Sequence, residues 1–273
     1  MQRSRVSSVV TDHRAASPAG TLPARLIQPA SRSGLPPLVV LHGISRNADE
    51  LVDLFRPEAE ASGRPVLVPH FSASRWPHFQ RPCRAARPDQ ALLALMGHLA
   101  GFDPAFAGRL DVFGHSGGAQ LAHRFAMLYP QRLRRLGLAA AGWYCLPDAG
   151  MSHPCGIGAD ADPDTLVWAR RHRAVLAEYL GLRVEVYVGT LDVGRDETLR
   201  QTPRLDREQG PNRLARAETY VARFRAAARA QGIRPDIALI RLPGVAHDVA
   251  QAIRQAGLAR CVTHETPALA SAC

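Results

Sequence analysis

Apolar positions follow two rhythms along the chain. Short unbroken runs alternate with longer stretches in which apolar residues return every three or four places. The run 37–41, Pro-Leu-Val-Val-Leu, is apolar throughout, as a strand buried on both faces of a parallel sheet must be. Runs at 66–68, 109–113, 133–141, 184–188 and 237–242 read the same way. Between them, 48–62, 89–99, 119–129, 165–180 and 213–231 carry helical spacing, and a closing helix extends to about 259. The first of these helices places Leu51, Leu54, Phe55 and Ala59 on one face. Two β-rich runs at 6–10 and 24–28, separated by the turn-like Ser17-Pro18-Ala19-Gly20, predict an opening antiparallel hairpin. The alternation as a whole predicts an α/β fold, a mostly parallel twisted sheet with helices on both faces. At 273 residues a single domain accommodates this pattern, with a small lid-like insertion at 143–180 after the sixth strand.

Composition narrows the partners. No apolar run is long enough to span a bilayer, and the N-terminal stretch lacks a sustained apolar core of the kind a secretory leader needs. A cytoplasmic location with no membrane partner is therefore expected. Five scattered cysteines and no Cys-x-x-Cys give neither a disulfide framework nor a metal site, and no cofactor is expected. The net charge of +10 comes entirely from arginine, since the chain has no lysine. Those arginines are dispersed and form no basic tail, so nucleic acid is not expected as a partner. Oligomeric state is left open.

One stretch concentrates chemistry. Leu110–Gln120 reads Leu-Asp-Val-Phe-Gly-His-Ser-Gly-Gly-Ala-Gln, an apolar run ending in Gly-x-Ser-x-Gly and followed by helical spacing. Glycines two positions either side of Ser116 suit a strand-to-helix turn too tight for side chains, with the serine hydroxyl at its tip. A serine nucleophile needs a base, and the base needs an orienting acid. In open α/β sheets both come from loops at the carboxyl ends of strands. His247 follows the last strand. Asp192 follows the strand at 184–188, with Asp196 as the alternative acid in the same loop. Two N–H donors should face the developing oxyanion: Gly117, next to the nucleophile, and Ile44, in the His42-Gly43-Ile44 loop. His115 and His42 are expected to buttress the turn and the loop, and Asp248 to cap the closing helix. The segments 70–88 and 143–164 should wall the pocket, with Trp76, Trp143 and Tyr144 against the substrate.

Four segments taken in order, Leu-His-Gly-Ile-Ser-Arg-Asn-Ala, Gly-His-Ser-Gly-Gly, Val-Gly-Thr-Leu-Asp and Gly-Val-Ala-His-Asp, resemble the oxyanion, elbow, acid and histidine segments of the α/β-hydrolase fold superfamily. Within it the chain is similar to bacterial serine esterases related to polyhydroxybutyrate depolymerases and feruloyl esterases. That resemblance implies hydrolysis of a small-molecule carboxylic ester through an acyl-enzyme. The alternatives are a thioesterase or peptidase using the same residues, or a binding protein that kept the fold.

Overall fold

The computed structural model describes residues 8–265. The first residues of the expected opening strand, the rest of residues 1–7 and the tail from 266 lie outside the described residues. Among the described residues eight strands form one sheet, in the order β1-β2-β4-β3-β5-β6-β7-β8. The hairpin β1 (Val9–Ala15) and β2 (Leu22–Gln28) is antiparallel and joins β4 (Val66–Pro69) antiparallel. From β4 onward the sheet is parallel, through β3 (Leu38–Leu41), β5 (Leu110–His115), β6 (Leu133–Ala139), β7 (Arg183–Gly189) and β8 (Ile237–Leu242).

The helices divide between the two faces. In chain order they are α1 (Ala48–Ser62), α2 (Pro88–Ala100), α3 (Gly117–Leu128), α4 (Pro163–Ala174), α5 (Leu176–Leu180), α6 (Pro203–Gln209), α7 (Arg213–Ala230), α8 (Val249–Ala256) and α9 (Leu258–Thr263). Side chains of β3 alternate between two cores, which is why its sequence shows no polar face. Val39 and Leu41 pack with Leu92, Leu121, Phe125, Tyr220 and Phe224 from α2, α3 and α7. Leu38 and Val40 pack with Leu51, Phe55, Val249 and Leu258 from α1, α8 and α9.

Three differences from the sequence reading have local causes. The helix expected at 165–180 is two, broken at the β-branched Val175, which sits at φ −123°, ψ 19°. The closing helix is also two, separated by Gly257 in the left-handed region at φ 65°. The polar loop leading to Pro211 contains α6, started by a Thr202 cap and a proline in the first turn. Its apolar face is too small to give a periodic signal. No described helix is long and apolar enough to cross a membrane.

At the amino ends of the central strands lies a buried charge cluster. Asp111, 1% exposed, is ion-paired with Arg64 Nη2 at 2.6 Å and accepts from Arg134 Nη2 at 2.7 Å and Arg135 Nε at 2.9 Å. Arg64 and the Asp111 carboxylate are both out of water, so each depends on the other for its solvation. The flanking guanidiniums hold the Asp111 carboxyl below its ordinary value against the opposing pull of burial, the largest single influence. Asp111→Ala leaves these cations around an empty site. It should cost about 3–5 kcal/mol of stability, measured by urea denaturation, as breaking one side of a buried ion pair does.

Candidate active site

The turn between β5 and α3 is sterically closed to side chains. A Cβ added to Gly118 would stand 2.1 Å from Leu41 O, and one added to Gly114 would stand 2.3 Å from the Gly118 backbone. Only hydrogen fits at either position. Ser116 between them is held at φ 53°, ψ −114°, in a region that L-residues rarely occupy. Its N–H donates to Ala139 O at 2.8 Å, and its carbonyl accepts from Gln120 N–H at 3.1 Å. These bonds fix the backbone of the turn and leave the hydroxyl at its tip.

Gly43, Ser116, Asp192 and His247 all lie beyond the carboxyl ends of parallel strands. The loops after β7 and β8 are bonded to one another, Leu191 N–H to Val245 O at 2.9 Å and Gly244 N–H to Thr190 Oγ1 at 3.0 Å. This linkage sets the separation of the residues they carry. His247 Nδ1–H donates to Asp192 Oδ2 at 2.9 Å; a carboxylate can only accept, so the bond fixes the tautomer. Nε2 is then free to accept from Ser116 Oγ–H, 3.1 Å away. Asp192 is buried, with 2% of its surface exposed.

Asp196 is elsewhere. Arg213, buried at the start of α7, grips it through Nη1 at 2.7 Å and Nη2 at 3.1 Å, and reaches Asp192 Oδ1 at 3.4 Å. The guanidinium beside Asp196 holds its carboxyl well below the usual carboxylate range. Of the two acids weighed from the sequence, Asp192 is the one bonded to the imidazole. Arg213 was not singled out from the sequence, where it is one arginine at a helix start.

The two expected N–H donors come together. A Cβ on Gly117 would meet Ile44 N at 3.3 Å, and neither N–H is engaged in a hydrogen bond among the described residues. His42 supports this loop from below. Its Nε2 accepts from Phe71 N–H at 3.0 Å and its Nδ1–H donates to Gly43 O at 2.8 Å, so the ring is neutral. Burial pulls its pKa down to about 4. His115 stacks against His247, 5.1 Å between ring centres, and burial also holds it well below the ordinary imidazole value. Arg46, another non-glycine residue at positive φ (58°), reaches Phe71 O, Trp76 O (3.1 Å) and Pro77 O (3.2 Å), tying the 70–88 segment to the Ile44 loop.

A cleft of about 170 Å³ opens beside Ser116, lined by Ile44, Gln80, Arg81, Gln120, Trp143 and Arg200 among others. Of the three aromatic residues expected against the substrate, Trp143 lines this cleft and Trp76 and Tyr144 do not. Trp76 is 3% exposed and packs edge-on to Phe71 at 5.7 Å, inside an aromatic cluster under the segment. Tyr144 is fully buried, stacked on Tyr220 at 4.3 Å, with its backbone N–H and C=O both bonded to the Gln209 amide. Both rings turn inward because the core is the larger apolar surface within reach. Gln80, Arg81, Gln120 and Arg200 line the cleft and were not anticipated. Only Gln120 carried a usable signal, one helical turn beyond Ser116.

No protein-family model and no curated protein matches the sequence. Solved structures do match it. Poly(aspartic acid) hydrolase-1 from Sphingomonas sp. KT-1 is 25% identical over 94% of this chain and 98% of its own, with a TM-score of 0.78. The poly(3-hydroxybutyrate) depolymerase LpqC from Bordetella parapertussis is 25% identical over 92% of this chain and 91% of its own, with a TM-score of 0.73. The chain is a member of the α/β-hydrolase superfamily. Several of its structural neighbours are hydrolases, esterases among them. The Staphylococcus aureus fluorophosphonate-binding serine hydrolase FphF shares the hydrolase fold at 14% identity, with a TM-score of 0.61 over 94% of this chain and 99% of its own.

Neutral buried imidazoles make this hydrolase fold acid-sensitive. His42 and His123 each accept a backbone N–H at Nε2 (from Phe71 and Cys145), and protonation removes that acceptor. Their folded pKa values lie below the unfolded 6.5, so below that pH the unfolded chain binds more protons. Stability should be level above pH 7 and fall as pH drops from 6.5 towards 5, by about 2 kcal/mol for His42, with His123 acting in the same direction. Urea midpoints across that range measure it, and a level midpoint would contradict it.

Proposed function

We propose that this protein is a serine hydrolase that cleaves carboxylic esters through an acyl-enzyme, with Ser116 as nucleophile, His247 as base and Asp192 as the acid that orients it. The observation that carries the reading is the single hydrogen-bonded run from Asp192 through His247 to Ser116, with two idle N–H groups at its end. As Ser116 Oγ attacks the carbonyl carbon, its proton passes to His247 Nε2. Asp192 then faces an imidazolium, and its buried negative charge stabilises that state. The carbonyl oxygen gains charge between Gly117 N–H and Ile44 N–H, at the amino end of α3, where the helix dipole also favours an anion. The Nε2 proton goes to the departing alcohol. A water activated by the same nitrogen then releases the acid and restores the serine. Only side chains, backbone and water enter these steps.

A second reading is favoured by one comparison. The Sphingomonas neighbour is named for poly(aspartic acid), a chain of amide bonds, whereas the Bordetella neighbour is named for poly(3-hydroxybutyrate), a polyester. The same residues serve either bond. They differ in the leaving group, since an amine must be protonated by His247 before it departs. Matched p-nitrophenyl esters and p-nitroanilides separate the two readings.

A fluorophosphonate probe should label Ser116 and no other residue, and hydrolysis of short p-nitrophenyl esters should persist with a chelator present. Ser116→Ala and His247→Ala should each lower kcat by about 10⁴-fold or more, and the double variant should be little worse, because the three residues act as a unit. Asp192→Asn should cost on the order of 10³–10⁴-fold. Asp196→Asn should cost much less, since it reaches the imidazole only through Arg213 and then Asp192. Near-normal activity in Asp192→Asn beside an inactive Asp196→Asn would reverse the assignment of the acid.

A further inference from the structure

The cleft has a charge asymmetry that ester cleavage alone does not require. On one side of Ser116 the walls are Gln80, Arg81, Gln120, Trp143 and Arg200, with no carboxylate among the residues that line it. A second depression continues this arm past Trp143 and Arg200 to Arg204 and Leu205, again without a lining carboxylate. The opposite side is mixed, with Glu50 and Asp248 alongside Arg254.

The arm is also backed by a buried cation. The fully buried arginines are Arg64, Arg124, Arg213 and Arg216. Arg64 is paired with Asp111, Arg213 with Asp192 and Asp196, and Arg216 with Asp206. Among the described residues Arg124 is paired with no carboxylate. Its Nη1 donates to Gln120 O at 3.0 Å, while Nε and Nη2 are buried without a partner. Burial lowers its pKa only to about 10, so it remains charged at neutral pH. Its guanidinium stacks on Trp143 at 4.3 Å, and Arg200 lies 5.4 Å from the same ring. Among the described residues Arg81 and Arg200 likewise have no ion-pair partner. Gln120, 7% exposed, also lines the arm, where its amide Nε2–H is the group that can donate to an anion. A buried charge without a counter-charge is costly, and this fold neutralises the other three internally.

We infer that a carboxylate of the substrate supplies the missing counter-charge, bound between Arg81 and Arg200 with the Gln120 amide beneath it. The arm thus selects esters that carry a free carboxylate near the scissile bond. The inference rests on the hydrolase reading above and specifies its substrate class. Guanidinium is suited to this, because its planar fork can offer two N–H groups to one carboxylate. Two sources share the chemistry: a small half-ester of a dicarboxylic acid, and a carboxylate-rich chain.

The test uses pairs that differ only in charge: monomethyl glutarate against its amide, and acetoxyacetate against acetoxyacetamide. These place the carboxylate on the acyl and the alcohol side respectively. In at least one pair the anion should be favoured about tenfold in kcat/KM, the size of one charge-assisted contact. That ratio should collapse towards one in Arg81→Gln/Arg200→Gln and shrink as NaCl screens the arm. Equal turnover of anion and amide in both pairs, or an unchanged ratio in the double variant, would overturn the inference.

Binding is read separately in Ser116→Ala, which does not depend on turnover. Sodium glutarate should raise its melting temperature above that seen with glutaramide plus matched NaCl, and should not do so when Arg81 and Arg200 are also replaced by Gln. If glutarate has no such effect, a polyacrylate oligomer that stabilises Ser116→Ala, but not the triple variant, makes the source a carboxylate-rich chain. Failure of both ligands would overturn the inference. By contrast, an unlabelled Ser116 and four uncleaved esters would count against the hydrolase reading, leaving the melting data to decide the anion site.

Discussion

Everything at the carboxyl edge of the sheet depends on how closely the first turn of α3 approaches the end of β3. The Gly118 Cα lies so near the Leu41 and His42 carbonyls that no side chain fits there. The close approach carries Ser116 out over the sheet edge at a backbone angle it would not adopt alone. It also brings Gly117 against Ile44, so one packing contact sets both the position of the hydroxyl and the spacing of the two N–H groups. The strain is offset by the cores on either face, where β3 and β5 are buried completely.

The sheet and its order of helices were legible because burial writes itself into local sequence. A strand covered on both faces must be apolar throughout, and a helix covering it must be apolar on one side. The serine and histidine were legible for a related reason. Gly-x-Ser-x-Gly records a steric requirement, and His247 follows the last strand, where the fold gathers ligands. Asp192 and Asp196 could not be separated in this way, because both follow β7 within a few residues. Arg213, contributed by α7 from beyond a polar loop, separates them by engaging Asp196 with both guanidinium nitrogens.

The pocket was the least legible part. Aromatic residues in loops near an active site suggest a lining, yet Trp76 and Tyr144 are drawn into cores where each finds another ring to stack on. What faces the cleft instead is polar and cationic. Arg81 and Arg200 are two among many arginines, in loops with no periodicity, and nothing local marks them as neighbours. Their meaning comes from what is near them in space and from Arg124, whose lack of a carboxylate partner can be seen only once every buried arginine has been matched to its acid.

Arg46 links recognition to chemistry. Its side chain holds three carbonyls of the segment that carries Gln80 and Arg81, while its backbone belongs to the turn that presents Ile44 N–H. His42 makes the same link from beneath, through Phe71. The two functions are therefore mechanically coupled. A change that resized the cleft by shifting this segment would also move the Ile44 N–H, the proposed oxyanion donor. New specificities are then more accessible through the opposite wall, at Trp143 and Arg200, where the backbone has no such attachment to the Ile44 turn. Within this architecture, one side of the cleft is committed to rate and the other is open to divergence.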